Sequence, residues 1–172
     1  MNAFIPEIEG TLPIQAAPAR FLDALRSRVR AGLLTGRPGP RQNYAEEDAG
    51  PASMRVRAID WWTAIAVGLN DVLLDVSEPG VVGYRVGYWR WTLYGVGLCG
   101  VIGIAAFAGL RWLLANNPRA LIPGLTVEQN LAIAFAMAAF WGFVWPWILV
   151  AKHKQPLREG LTRLIAESDA AA

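Results

Sequence analysis

The chain has 172 residues, 54% hydrophobic and 17% charged, with 16 Lys and Arg against 14 Asp and Glu and a net charge of only +2. The length suits one domain of ordinary size. The small charge argues against a nucleic-acid binder, and a single cysteine, Cys99, excludes an internal disulfide framework or a Cys-based metal site. A mean hydropathy of +0.30 and eight Trp point instead to lipid, because Trp concentrates where one end of its ring is dry and the other wet.

The opening "MNAFIPEIEGTLPIQAAPAR" lacks a basic stretch followed by an apolar one, so it does not read as a secretory signal and targeting is expected from internal segments. Residues 1–57 are polar, with Pro and Gly scattered through "TGRPGPRQNY" and "EEDAGPAS". This composition predicts an extended cytoplasmic arm that buries too little apolar surface to offset its ordering entropy. Within it, "PARFLDALRSRVRAGLL" sets Phe21, Leu25, Val29 and Leu33 on one stripe beside Arg20, Arg26, Arg28 and Arg30. That spacing predicts a short basic amphipathic helix over about 18–34, with Arg26 and Arg30 as partner-facing candidates.

Residues 58–78 continue the theme. Ile59, Trp62, Ala66, Leu69, Leu73 and Val76 share one helical face, and Asp60, Asn70, Asp71 and Asp75 share the other. The segment is too short to span a bilayer, which takes roughly 20 residues. Its acidic side would be repelled by anionic lipid, so an in-plane helix docked on protein is expected, with Trp61 and Trp62 partner-facing.

From Trp91 to Leu110 no charge appears, and at about 1.5 Å per residue the run matches a bilayer core. A second uncharged run extends from Leu131 to Ala151. Together they predict a transmembrane hairpin over 88–151, with spans of about 91–112 and 128–151. Its membrane-interface residues are Trp89, Trp91, Arg111, Trp112, Trp145, Trp147, Lys152 and Lys154. Thr126 with Gln129 three residues on reads as a capping box, and Pro146 is placed to kink the second span. Gly95, Cys99 and Gly103 in the first span, and Ala134, Ala138 and Gly142 in the second, recur every four residues as helix-packing stripes. An amphipathic cytoplasmic tail follows over 152–172.

Flanking charge favours both termini in the cytoplasm, with Arg85, Arg90, Lys152, Lys154, Arg158 and Arg163 on the inner side against Arg111 and Arg119 in the connection. No catalytic or metal residues are predicted. The runs carry no ionisable group, Cys99 reads as a packing residue, and His153 reads as an interfacial residue rather than a ligand.

The expected fold is therefore an all-α membrane protein: a two-helix transmembrane hairpin, an in-plane amphipathic helix and a largely irregular N-terminal arm. The expected function is that of a non-catalytic accessory subunit of an energy-transducing membrane complex, of the photosynthetic reaction-centre and light-harvesting type or respiratory, in a bacterial inner membrane. Its partners would be other membrane subunits and the bilayer, not nucleic acid. No cofactor is expected through side-chain ligands, only peripheral contact with pigments, carotenoids or lipids. The alternatives are a self-assembling holin-type permeabilising protein and a subunit of a secretion or conjugation channel.

Overall fold

A computed structural model describes residues 5–31, 43–117 and 121–172. The elements follow in the order β1 (Glu7–Pro13), α1 (Pro18–Arg30), β2 (Tyr44–Gly50), β3 (Ser53–Ala58), α2 (Trp61–Val67), β4 (Asp71–Asp75), β5 (Val81–Gly87), α3 (Trp89–Asn116), α4 (Val127–Ala139), a π-helical turn (Phe140–Val144) and α5 (Trp145–Ala170). They form two compact units, one of Met1–Trp91 with Lys152–Ala172 and the other of Thr92–Ala151. Leu33, the far end of the expected 18–34 helix, and Arg119 lie outside the described residues.

The first unit is built on an antiparallel five-stranded sheet in the order β1-β5-β4-β3-β2. Alternation along β3, β4 and β5 makes one face apolar. Met54 and Val56 of β3 lie opposite Leu74 and Val72 of β4, which in turn face Tyr84 and Val86 of β5, with Ile8 of β1 next to Val86. All of these side chains are buried. The stripe of α1 formed by Phe21, Leu22, Leu25 and Val29 is buried in the same unit, as are Leu157, Leu161, Leu164 and Ile165 on successive turns of α5. Each such side chain removed from water is worth about 1.5–3 kcal/mol. The two helices are tied by an Arg28–Glu167 ion pair. In addition, the Asp169 carboxylate accepts the Gln15 and Ala16 backbone N–H groups just ahead of α1, at 2.8–3.0 Å.

The opposite sheet face carries interspersed charges. Arg85 pairs with Glu9 at 3.6 Å, Arg55 with Asp71 at 3.5 Å, and Arg57 with Glu47 at 3.3 Å and Asp71 at 3.8 Å.

This sheet overturns the all-α expectation. Residues 1–57 are not a largely irregular arm, since they supply β1, β2 and nearly all of β3. Nor is 58–78 one in-plane helix: α2 stops at Val67, where Gly68 takes φ +81°, and the chain re-enters the sheet as β4. The physical reason is a shared pattern. Leu69, Leu73 and Val76 fit a helical stripe, but Val72, Leu74 and Val76 also fit strand alternation, and burial against β3 and β5 decides for the strand.

Two helices are long and apolar enough to cross a membrane: Trp89–Asn116, and the continuous Val127–Ala170. Their most apolar windows have mean hydropathies of 2.0 and 1.9, and only 6% and 22% of those windows is buried within the chain. In the second unit the helices cross where Gly103 meets Gly142. A Cβ on Gly103 would lie 2.8 Å from the Gly142 Cα and 2.9 Å from the Ala138 carbonyl oxygen. Thr126 caps α4 in a complete capping box with Gln129, and the buried Asn130 side chain holds the Ile122 N–H at 2.9 Å and the Thr126 carbonyl at 2.9 Å. Just before Pro146, the helix widens into the π turn, where the Trp145 N–H donates to the Phe140 carbonyl five residues back. Pro146 lacks the donor that an α-helix would require there, and the wider turn is a standard accommodation of such a break.

Candidate functional site

Two clusters gather the residues that composition and spacing singled out, one in each unit. In the sheet unit the organising residue is Asn70, which is buried. Its N–H donates to the Gly87 carbonyl and its carbonyl accepts from the Ala58 N–H, both at 3.0 Å. Its side-chain Nδ2 donates to the Ala64 carbonyl at 3.0 Å, and its Oδ1 accepts the Arg90 N–H at 2.6 Å. One side chain thus joins α2 to the first turn of α3, whose N–H groups have no partner within the helix.

Around that joint the aromatic residues pack in order. The rings of Trp61 and Trp89 meet edge-on at 6.2 Å. The Arg90 guanidinium lies 5.5 Å from the Trp89 ring centre and donates to the Ala58 carbonyl at 3.3 Å. Tyr88, fully buried, contacts Trp91 at 6.3 Å and His153 at 5.7 Å, while His153 stacks on Trp91 at 4.0 Å. Burial pushes the Tyr88 hydroxyl up to about 12. Burial likewise pushes the His153 imidazole below the ordinary histidine range, and among the described residues its Nε2 has no hydrogen-bond partner. That nitrogen faces Gly68, where any Cβ would collide with it.

Nearby, the Tyr44 hydroxyl donates to the Leu69 carbonyl at 3.1 Å and is raised first by burial and then by the charge of Asp60. Asp60 itself caps α2, accepting the Thr63 N–H at 2.7 Å, and this hydrogen bond holds its carboxyl below the usual range. Lys154 is lowered by burial and by Arg158, against the opposing charge of Glu7.

No family model, curated protein or solved structure matches this chain.

The second cluster is the glycine crossing. Of the six residues expected at a packing stripe, Gly103, Gly142, Ala138 and the Cys99 carbonyl meet there, and Ala134 is buried in the same unit. Gly95 faces open space: a Cβ there would find nothing within 4 Å. Phe107 and Phe135 close the crossing edge-on at 5.7 Å, and an apolar cavity of about 190 Å³ lies beside it, lined in part by Ile104 and Phe143.

The expected interface residues divide. Trp89, Arg111, Trp112, Trp147 and Lys152 are exposed, and Trp145 and Lys154 are half-buried. Trp91 is held in the sheet unit by His153. Of the partner-facing candidates, Trp61 and Trp62 are exposed, whereas Arg26 pairs with Asp23 at 3.1 Å and Arg30 pairs with Glu46. Sequence reasoning missed Asn70 and the environment of His153. The one available signal was an amide placed two residues after a glycine and directly before Asp71.

Proposed function

We propose that the chain is a non-catalytic structural subunit of a larger membrane assembly, anchored by a transmembrane hairpin and presenting a folded sheet unit beside the bilayer. The carrying observation is how little of the apolar helices the chain covers itself. The crossing uses one narrow glycine and alanine stripe, and Val101, Ile102, Ile104, Phe135, Met137, Trp141 and Phe143 stay exposed. A helix apolar on all sides requires apolar surroundings on all sides, and lipid together with neighbouring helices meets that requirement.

Topology supports the same reading. Segments before and after the hairpin fold into one unit, which supports a reading with both on the same side of the membrane. The excess of Lys and Arg in those segments favours the cytoplasmic side of a bacterial inner membrane. Outside the bilayer, the ion-paired sheet face offers both signs of charge to a neighbouring subunit.

The test is extraction of the native membrane in mild detergent, size separation, mass spectrometry of co-migrating proteins and an absorption spectrum of the same fraction. Co-migration with other membrane subunits at fixed stoichiometry is the expected result, and a pigment or haem band would identify an energy-transducing complex. A homo-oligomer without partners overturns the proposal in favour of a self-assembling permeabilising protein.

A further inference from the structure

The sheet unit displays an apolar patch that its own core does not use. Trp62 is 74% exposed and Ile59 57%, with Trp61 at 43% and Trp89 at 46%. The patch is held in place: Asp60 caps α2, the Trp61 ring abuts Trp89, and Arg90 lies against the other side of the joint, bonded to Ala58. Exposed aromatic side chains grouped this way mark an interaction surface.

Of the carboxylates in this segment, Asp60 stays exposed at the start of α2, where it accepts the Thr63 N–H and offsets the positive end of the helix. Asp71 lies in β4 and pairs with Arg55 and Arg57, and Asp75 lies in β4 as well. Asn70 is turned inward. The exposed group is then three indoles with one guanidinium and the single capping carboxylate of Asp60, a combination suited to a headgroup layer, where the rings sit among glycerol and carbonyl groups and the cation meets phosphate. Trp89 and Arg90 directly precede the uncharged run that begins at Trp91, so the chain passes through that layer at this point.

We infer that Ile59, Trp61, Trp62 and Trp89 seat in the headgroup layer of the bilayer, with Arg90 pairing lipid phosphate. This footing rests on the membrane reading above and assigns α2 to lipid rather than to a protein partner. It fixes the sheet unit to the membrane surface without adding a further span.

The experiment uses the full chain with Cys99→Ala, reconstituted in vesicles of phosphatidylcholine and phosphatidylglycerol. A single nitroxide is attached through Trp62→Cys, Ile104→Cys or Arg85→Cys. Collision with dissolved oxygen is compared with collision with a water-soluble nickel chelate. The footing predicts a loss of nickel collisions at 62 relative to 85 and an oxygen-to-nickel ratio between those at 85 and 104. If 62 matches 85 while 104 remains in lipid, the footing is overturned, the span stands and a protein subunit becomes the occupant. If 104 is also water-exposed, the membrane reading fails and the footing fails with it. Dipolar broadening at 62 that disappears on dilution with unlabelled protein assigns the patch to a second copy and likewise overturns the proposal.

Discussion

His153 lies flat against Trp91, with ring centroids 4.0 Å apart and planes 1° from parallel. The contact joins the start of α3 to α5 within the sheet unit, and burial there favours the neutral imidazole. The imidazole packs against the rings of Tyr88 and Trp91, its Nε2 faces Gly68, and among the described residues that nitrogen has no hydrogen-bond partner.

Stability should therefore fall with acid. Burial lowers the folded-state pKa below 6.5, so the unfolded chain takes up the proton first. The contribution is intact above pH 6.5 and is lost as pH drops from there toward the folded value, with a slope of at most about 1.4 kcal/mol per pH unit. Denaturant melts of the full chain in mild detergent between pH 8 and 5 measure it. His153→Phe, which keeps a flat ring, should flatten the slope; an unchanged slope in that variant removes His153 as the cause.

Gly68→Ala should destabilise the sheet unit by about 1–3 kcal/mol. A left-handed φ of +81° is strained for any residue with a Cβ, and that Cβ would strike His153. Pairing it with His153→Ala should recover the collision part but not the backbone part. Full additivity of the two losses in a double-mutant cycle would show that the residues do not interact.

The glycines of the helical runs should behave differently from one another. Gly103→Leu forces apart backbones that approach closely at Gly142 and should cost about 1–3 kcal/mol, read as a lower melting temperature in detergent. Gly95→Leu enters open space and should leave the melting temperature of the isolated chain unchanged. Equal losses from both would refute the crossing at Gly103.

Asn70→Ala should cost about 1–3 kcal/mol, because it leaves the Arg90 N–H unsatisfied in a buried joint and removes one of the two donors to the Ala64 carbonyl, which keeps the Gly68 N–H. Hydrogen exchange should report the loss at the first turn of α3 and the end of α2. Protection unchanged at both places would mean that the side chain is not the joint.

Deleting residues 156–172 should unfold the sheet while leaving the helical unit, since Leu157, Leu161, Leu164 and Ile165 belong to the sheet unit's core. Limited proteolysis should then cut within β1 to β5 and spare Thr92–Ala151. A protease-resistant sheet in the truncated chain would contradict this core.

The helical runs are legible in the sequence because they are local. Twenty uncharged residues beginning at Trp91 carry their own evidence, as does the capping box at Thr126. The strands are only partly legible. "SMRVRA" alternates Met54, Val56 and Ala58 with Arg55 and Arg57, and β5 alternates Val82, Tyr84 and Val86. They are hard to read because Gly83 interrupts and Gly87 ends the β5 pattern, and because only part of their covering layer, the stripe of α1, precedes them in the chain. The buried core is completed in part by α5, beyond the whole of Thr92–Ala151, and composition within residues 1–57 gives no sign of it. The packing of Gly103 and the openness around Gly95 are indistinguishable by spacing, since a four-residue repeat does not say where two helices cross.

Because residues 152–172 help complete the sheet unit, synthesis imposes an order on folding. All five strands leave the ribosome while Leu157, Leu161, Leu164 and Ile165, part of the same unit's core, have yet to be made. The hairpin is translated in the interval. On the membrane reading proposed above, insertion comes first and closure of the sheet second, so the finished module acts as a latch that forms only after the hairpin has been made.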